Sequence, residues 1–307
     1  MYLKNKNIAV VGGGLVGSLL SVILRNQGAT ISVFDKRADI RMDKSSAGRS
    51  INLALSNRGI RALTLINATD SILDIASPMY KRIMHSVEGN LTEQPYGKKN
   101  QAIFSVSRHD LNKKLIDIAE SKGVKFFFSK QCRDINFSKT ELFFHDNTSL
   151  TFDYIFAADG AGSVIRKKIP SYFDDVVITE EFIDSGYKEL TIPANVDSGY
   201  KITNNALHIW PRKSFMIIAL PNQDGTFTCT LFAPMQGPNS FKELCTKEDV
   251  EGFLKKYFGD LLKISPDTPS EFFQNPTSPL GFVRCSSWKH NNTILLGDAS
   301  HATVPFY

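Results

Sequence analysis

Short apolar runs alternate with amphipathic stretches along the first 170 residues. Ile8–Val11 reads as a short buried strand and Leu15–Arg25 as a helix that Gly28 ends. Thr30–Phe34 is a second strand closing on Asp35, so this segment is a β-α-β unit. Ser50–Ala68 mixes polar and apolar residues at helical spacing. Arg108–Ser121 is a clearer helix. Ser107 followed by Asp110 gives it a capping-box-like start, and Gly123 supplies the stop. Val124–Phe128 and Tyr154–Ala158 read as buried strands. Leu142–His145 and Leu150–Phe152 flank Asp146-Asn147, a hairpin signal.

After Pro170 the pattern changes. Four strand-like runs follow: Tyr187–Ile192, Ala206–Trp210, Phe215–Leu220 and Phe227–Phe232. Asp224-Gly225 is a turn signal between the last two. An antiparallel sheet is expected here rather than more β-α-β units. Glu248–Phe258 is an amphipathic helix, and Thr293–Leu296 is a final buried strand. The chain carries no internal repeat and no low-complexity tract.

Composition narrows the picture only a little. At 42% hydrophobic, 307 residues suffice for one large or two modest cores. The net charge of +5 is mild and its Lys and Arg are scattered, which argues against a nucleic-acid partner but suits anionic ligands. No apolar run approaches the ~20 residues of a membrane span. Cys132, Cys229, Cys245 and Cys285 form no C-x-x-C pair, and the six histidines form no H-x-x-x-H pair. Reduced thiols in a cytosolic compartment fit better than a metal or redox motif.

The candidate chemistry lies at the strand ends. Gly12-x-Gly14-x-x-Gly17 follows a strand and opens a helix. The first glycine permits a tight turn, the second lets a pyrophosphate approach the backbone, and the third lets helix and strand pack closely. Asp35 ends the next strand, 18 positions after Gly17, where a carboxylate can accept hydrogen bonds from ribose hydroxyls. It also disfavours a 2′-phosphate. This much indicates a dinucleotide without separating FAD from NAD. Asp159-Gly160-Ala161-Gly162-Ser163-Val164-Ile165-Arg166 and Gly297-Asp298-Ala299-Ser300-His301 each follow a further buried strand. An aspartate there can hold a ribose or ribityl hydroxyl, and the small neighbours let backbone N–H groups approach phosphate oxygens. The three elements in this order select FAD.

These elements, as GGGLVG, DGAGSVIR and LLGDASHATVPF, resemble those of the single-component FAD-dependent aromatic hydroxylases. The segments GRSINLALS, PYGKKNQ, SVSRHDLNKKL, ELTIP, LHIWPR and FTCTLFAP resemble the branch of that family that acts on L-kynurenine. The resemblance implies an α/β (α+β) fold of the p-hydroxybenzoate hydroxylase-like type. A Rossmann-like FAD-binding domain, residues 1–75, 101–170 and 286–307, would hold an inserted antiparallel-sheet substrate domain, residues 76–100 and 171–285. It also implies the chemistry. NADPH reduces the FAD, O₂ adds to give a flavin C4a-hydroperoxide, and one oxygen passes to the ring of L-kynurenine, a step of tryptophan catabolism. No catalytic acid or base is implied, and no metal.

The same resemblance assigns the site. Val16 and Gly17 fall at the pyrophosphate turn, Asp35 and Arg37 at the adenosine end, and Ala54 in the SINLALS segment beside the cofactor. Arg108 is set for the phosphates, Val164 and Asp298 complete the two later motifs, and Cys132 aligns by its spacing from SVSR. Arg82 and Tyr96 are expected to hold the substrate α-carboxylate, a guanidinium supplying two parallel hydrogen bonds and a phenol a third. His85 is expected to be a structural hydrogen-bonder, and Trp210 and Phe232 to be core. The family continues beyond Pro305-Phe306 with a flavin-contacting glycine-rich segment and a helical region, which in eukaryotic members carries a membrane anchor. The expectation is a chain truncated before them that binds FAD weakly by itself. Two other readings are open at this stage: a related hydroxylase of another aromatic acid, and a non-catalytic FAD-binding remnant.

Overall fold

A computed structural model describes residues 2–42, 51–98 and 101–305. Gly48–Ser50 of one expected segment, Lys99-Asn100 of another and the terminal Phe306-Tyr307 lie outside them.

Two sheets carry most of the strands. The first has six, in the order Lys289–His290, Thr293–Leu295, Tyr154–Ala157, Asn7–Val11, Thr30–Phe34 and Lys125–Phe127. All its pairs are parallel except the terminal Lys289–His290 pair. Period-two alternation explains the all-apolar run Ile8–Val11. Ile8 and Val10 enter the core under the helices Leu15–Asn26 and Arg108–Ser121, while Ala9 and Val11 enter a core on the opposite face. That second face is covered by a three-stranded sheet, Cys132–Asn136, Glu141–Phe144 and Ser149–Thr151, through Ile135, Leu142 and Phe144. The hairpin forms where expected, with Leu142 paired to Leu150 and Asn147 at φ +63°.

The second sheet has seven strands, in the order Thr277–Cys285, Ile178–Ile192, Phe227–Ala233, Phe215–Pro221, Ala206–Arg212, Lys81–His85 and Leu91–Pro95. The four expected runs are its centre. The strand Thr277–Cys285 and the hairpin 81–95 extend it. The hairpin joins through a parallel pair, Ala206–Arg212 with Lys81–His85, so the sheet is not wholly antiparallel. Three helices, Lys247–Tyr257, Gly259–Ile264 and Thr268–Gln274, contribute Val250, Phe253, Leu254, Leu261 and Phe272 to the core on one face. Lys247–Tyr257 starts with a true capping box between Thr246 and Asp249.

The segment 51–68 differs from its helical expectation. Asn52–Leu55 is a strand paired with Ile103–Ser107, which also pairs with Ser77–Met79, and the helix is only Asn57–Thr64. A local period does not register that a partner strand arrives from 50 residues away. Among the described residues no helix is long and apolar enough to cross a membrane.

Candidate functional site

The glycine turn is dictated by its backbone. Gly12 sits at φ +104°, and a Cβ there would stand 2.3 Å from the Ala158 carbonyl oxygen. A Cβ on Gly17 would stand 1.9 Å from the Gly12 carbonyl oxygen, so only glycine lets the helix begin this close to the turn. Gly14, Gly160 and Gly162 are different. Nothing lies within 4 Å of the Cβ that each lacks, because all three face a cavity of about 420 Å³ at the carboxyl ends of the parallel strands.

Of the expected cofactor residues, Gly12, Gly14, Asp35, Arg37, Arg108, Cys132, Asp159 and Val164 line this cavity. Asp35 is 5% exposed. Its Oδ2 accepts from the Gly13 N–H and Arg37 Nη2, both at 2.8 Å, and its Oδ1 from the Arg37 N–H at 2.8 Å. Burial opposes ionisation of this carboxyl, but Arg37 and the Gly13 N–H outweigh it and hold it below the ordinary carboxylate range. Asp159 is the opposite case. Its Oδ2 accepts from the Val164 N–H at 2.9 Å, while Oδ1 is buried without a hydrogen-bond partner among the described residues. Burial pushes its carboxyl up. Burial also pushes the Cys132 thiol up to about 12, so it stays protonated and unreactive.

Four expected residues lie off the cavity wall. Val16 is a residue into the first helix, and its side chain meets Gly297, whose missing Cβ would stand 3.0 Å from Val16 Cγ2. The third motif is thereby brought against the first. Gly17 is buried under the turn. Ala54 is exposed on its strand, opposite Ser105, and Asp298 is exposed in the short 3-10 turn Gly297–Ala299.

Arg82 and Tyr96 are not among the cavity's lining residues: Arg82 is on the edge hairpin of the second sheet and Tyr96 is the residue just past its end. The Arg82 guanidinium carbon lies 5.6 Å from the centre of the Tyr96 ring. Burial raises the Tyr96 phenol pKa and the Arg82 charge partly offsets it. Tyr96 also borders an open concavity with Arg58, Gln101 and Phe104. Trp210 is fully buried and Phe232 is 6% exposed, as core residues are. His85 bonds to Asp260 and His208.

Two site residues escape sequence reading. Asn112 lines the cavity and donates its amide to the Gly13 carbonyl at 3.2 Å, tying the helix Arg108–Ser121 to the glycine turn. Its position four residues after Arg108, on one helix face, is the signal that finds it. Arg166 is fully buried. It donates to the carbonyls of Ala161 and Ala299 (2.9 Å for the latter) and pairs with Glu180 at 2.6 Å. One guanidinium thus joins the second motif, the third motif and a strand of the second sheet. Among the described residues no cluster of His, Cys, Asp and Glu could hold a metal ion.

The chemistry of this wall suits a dinucleotide. Three glycines leave space where phosphates need backbone contact, and the same wall carries Asp159, whose carboxyl has a buried oxygen without a partner among the described residues. Fold and wall together define an FAD-binding flavoprotein of the aromatic-hydroxylase type. Solved structures share the architecture. The tetrameric form of 2-methyl-3-hydroxypyridine-5-carboxylic acid oxygenase superposes with a TM-score of 0.78 at 19% identity, over 98% of this chain and 77% of that one. Klebsiella pneumoniae HpxO complexed with FAD superposes with a TM-score of 0.76 at 17% identity, over 98% and 76%. The family model described as FAD binding domain matches residues 5–307. The kynurenine 3-monooxygenase of Flavobacterium johnsoniae is 46% identical over 98% of this chain and 68% of its own length. Those of Dictyostelium discoideum and Sus scrofa are 43% and 41% identical over 99% of this chain, and over 66% and 65% of their own lengths. The chain belongs to the kynurenine 3-monooxygenase family.

Proposed function

We propose that the full-length protein hydroxylates L-kynurenine to 3-hydroxykynurenine with FAD bound and NADPH and O₂ consumed. The observation that carries this reading is the 46% identity to a kynurenine 3-monooxygenase across almost the whole chain. Bound FAD supplies the redox chemistry, activating O₂ so that one oxygen atom enters the aromatic ring and the other leaves as water.

The chain's residues bind and orient. Gly12, Gly14 and Gly17 shape the turn that receives the pyrophosphate, with Val16 at the head of the helix. Asp35 accepts from the adenosine ribose while Arg37, bonded to it at 2.8 Å, keeps it ionised. Arg108 meets the phosphates. Asp159 and the Val164 N–H serve the flavin half, with Ala54, Cys132 and Asp298 flanking it. Arg82 and Tyr96 hold the kynurenine carboxylate, and their mutual contact at the edge hairpin and its end supports that pairing. The four cysteines are free thiols, which suits a reducing cytoplasm.

The test is a flavin absorbance spectrum of the purified full-length protein, followed by NADPH consumption with and without kynurenine. We expect a flavin spectrum, kynurenine-stimulated oxidation of NADPH and 3-hydroxykynurenine as product. NADPH oxidation stimulated by another aromatic acid and not by kynurenine would overturn the substrate; a protein without reducible flavin would overturn the activity.

A further inference from the structure

Behind the edge hairpin that carries Arg82 runs a chain of buried polar groups. His85 ends the strand Lys81–His85, and His208 lies on its parallel neighbour Ala206–Arg212. The two residues are 4% and 2% exposed. Asp260 Oδ2 is 2.7 Å from His85 Nδ1. His85 Nε2 is 2.8 Å from His208 Nδ1, and His208 Nε2 is 2.8 Å from the Thr203 carbonyl oxygen. Trp210 donates its indole N–H to the same Asp260 oxygen at 2.8 Å and stacks on His85 with ring centres 4.0 Å apart.

The chain has an acceptor at each end. A carbonyl oxygen cannot donate, and neither can a carboxylate. Three hydrogen bonds then require three protons along the chain, and two neutral imidazoles carry only two. No choice of tautomers changes this count. The third proton sits on Asp260, on His208 or on His85. Burial holds His208 down to about 4, so that ring stays neutral near pH 7. Burial opposes ionisation of Asp260, but its bonds to His85 and Trp210 outweigh it and keep the carboxyl below the ordinary range. His85 remains.

We propose that His85 is held as a buried imidazolium between Asp260 and His208, and that this charged relay positions Arg82 for its substrate. The other charges around it are Lys81 on the same strand, Arg212, and Glu88 facing Arg212. Arg212 donates to the carbonyls of His85 at 2.8 Å and Ser86 at 3.0 Å, clamping the end of the strand. Asp260 is the carboxylate in direct contact with His85, offsetting these cations. The strand needs such a tether because its outer neighbour, Leu91–Pro95, is exposed at every residue. Arg82 lies three residues before His85 on this strand, so a shift at the relay moves the guanidinium. Arg82, His85 and Asp260 thus act as one unit: Asp260 and His85 position, and Arg82 binds. The positioning role rests on Arg82 being the carboxylate anchor; the proton count does not.

The experiment uses the FAD-loaded full-length enzyme labelled with ¹⁵N-histidine. Near pH 7.5 the spectrum should contain one ring protonated on both nitrogens, and His85→Gln should remove that signal. Two neutral rings in the unmodified enzyme would overturn the proposal without any variant having to fold. Asp260→Asn should abolish the imidazolium signal and weaken kynurenine binding by about 5-fold, with kcat at saturation changed by less than about 2-fold. Asp260→Glu should restore both the signal and most of the affinity. Unchanged kynurenine Kd in Asp260→Asn, or equal losses in kcat and affinity, would overturn the positioning role. Intact kynurenine affinity in Arg82→Ala would overturn the anchor and the positioning role together, leaving the proton count to the spectrum.

Discussion

A single methyl group decides the glycine turn. Gly12→Ala would place a Cβ 2.3 Å from the Ala158 carbonyl oxygen at a φ of +104°. We expect a loss of at least about 1–3 kcal/mol in folding stability, read from the urea midpoint, together with loss of bound flavin. Arg82 acts by charge instead. Arg82→Ala should weaken kynurenine binding roughly 10- to 100-fold with FAD retained, the worth of a charge-assisted hydrogen bond of about 1.5–3 kcal/mol. Arg82→Lys should recover only part of this, because an ammonium lacks the two-pronged geometry. His208 sets a pH dependence. Its folded pKa of about 4 lies below the ordinary 6.5, so the unfolded chain binds its proton more readily between those values. Stability from this ring is full above pH 6.5 and falls as pH drops towards 4, by roughly 2–3 kcal/mol at most. Asp35, with its carboxyl held low, adds a loss at still lower pH. Denaturant midpoints measured from pH 6.5 down to 4.5 should fall, and less steeply in His208→Gln.

Elements carry these residues to their places. The helix Arg108–Ser121 presents Arg108 and Asn112 to the cavity, and its first turn is held by the Ser107 hydroxyl accepting from the Asp110 N–H at 3.2 Å. Ser107→Ala should cost about 1 kcal/mol in denaturant unfolding and lower the affinity for FAD, read by flavin fluorescence. This cap is local and was legible in the sequence, as was the Asp224-Gly225 turn, with Gly225 at φ +88°. The strand Asn52–Leu55 was not legible, because its polar–apolar spacing also fits a helix and only the partner Ile103–Ser107 settles the matter. The strand Leu91–Pro95 was missed for another reason. Both its faces are exposed, so it carries no apolar alternation to read.

On the scale of the whole molecule, Arg166 is a polar tie between the motifs at the first sheet and a strand of the second. Its bonds to Ala161, Ala299 and Glu180 bridge three separate segments. FAD binding at a wall assembled from segments as distant as those of Gly12, Arg108 and Asp159 should stabilise the fold by mass action. A concentration one hundred times Kd corresponds to about 2.7 kcal/mol, so Tm should climb with added FAD. A Tm independent of FAD would contradict the cavity as its site.

The glycine turn, its helix, the acid at the second strand's end and the order of the three motifs were properties of the sequence alone. Each depends on dihedral freedom and Cβ clearance within a few residues, which residue type dictates directly. The side-chain meetings that complete the site were decided only by tertiary structure. Asn112 reaches Gly13 across 99 residues, Arg166 reaches Ala299 across 133, and His85 reaches Asp260 across 175. No local period encodes such contacts, because it is strand pairing and helix packing between distant segments that bring them together.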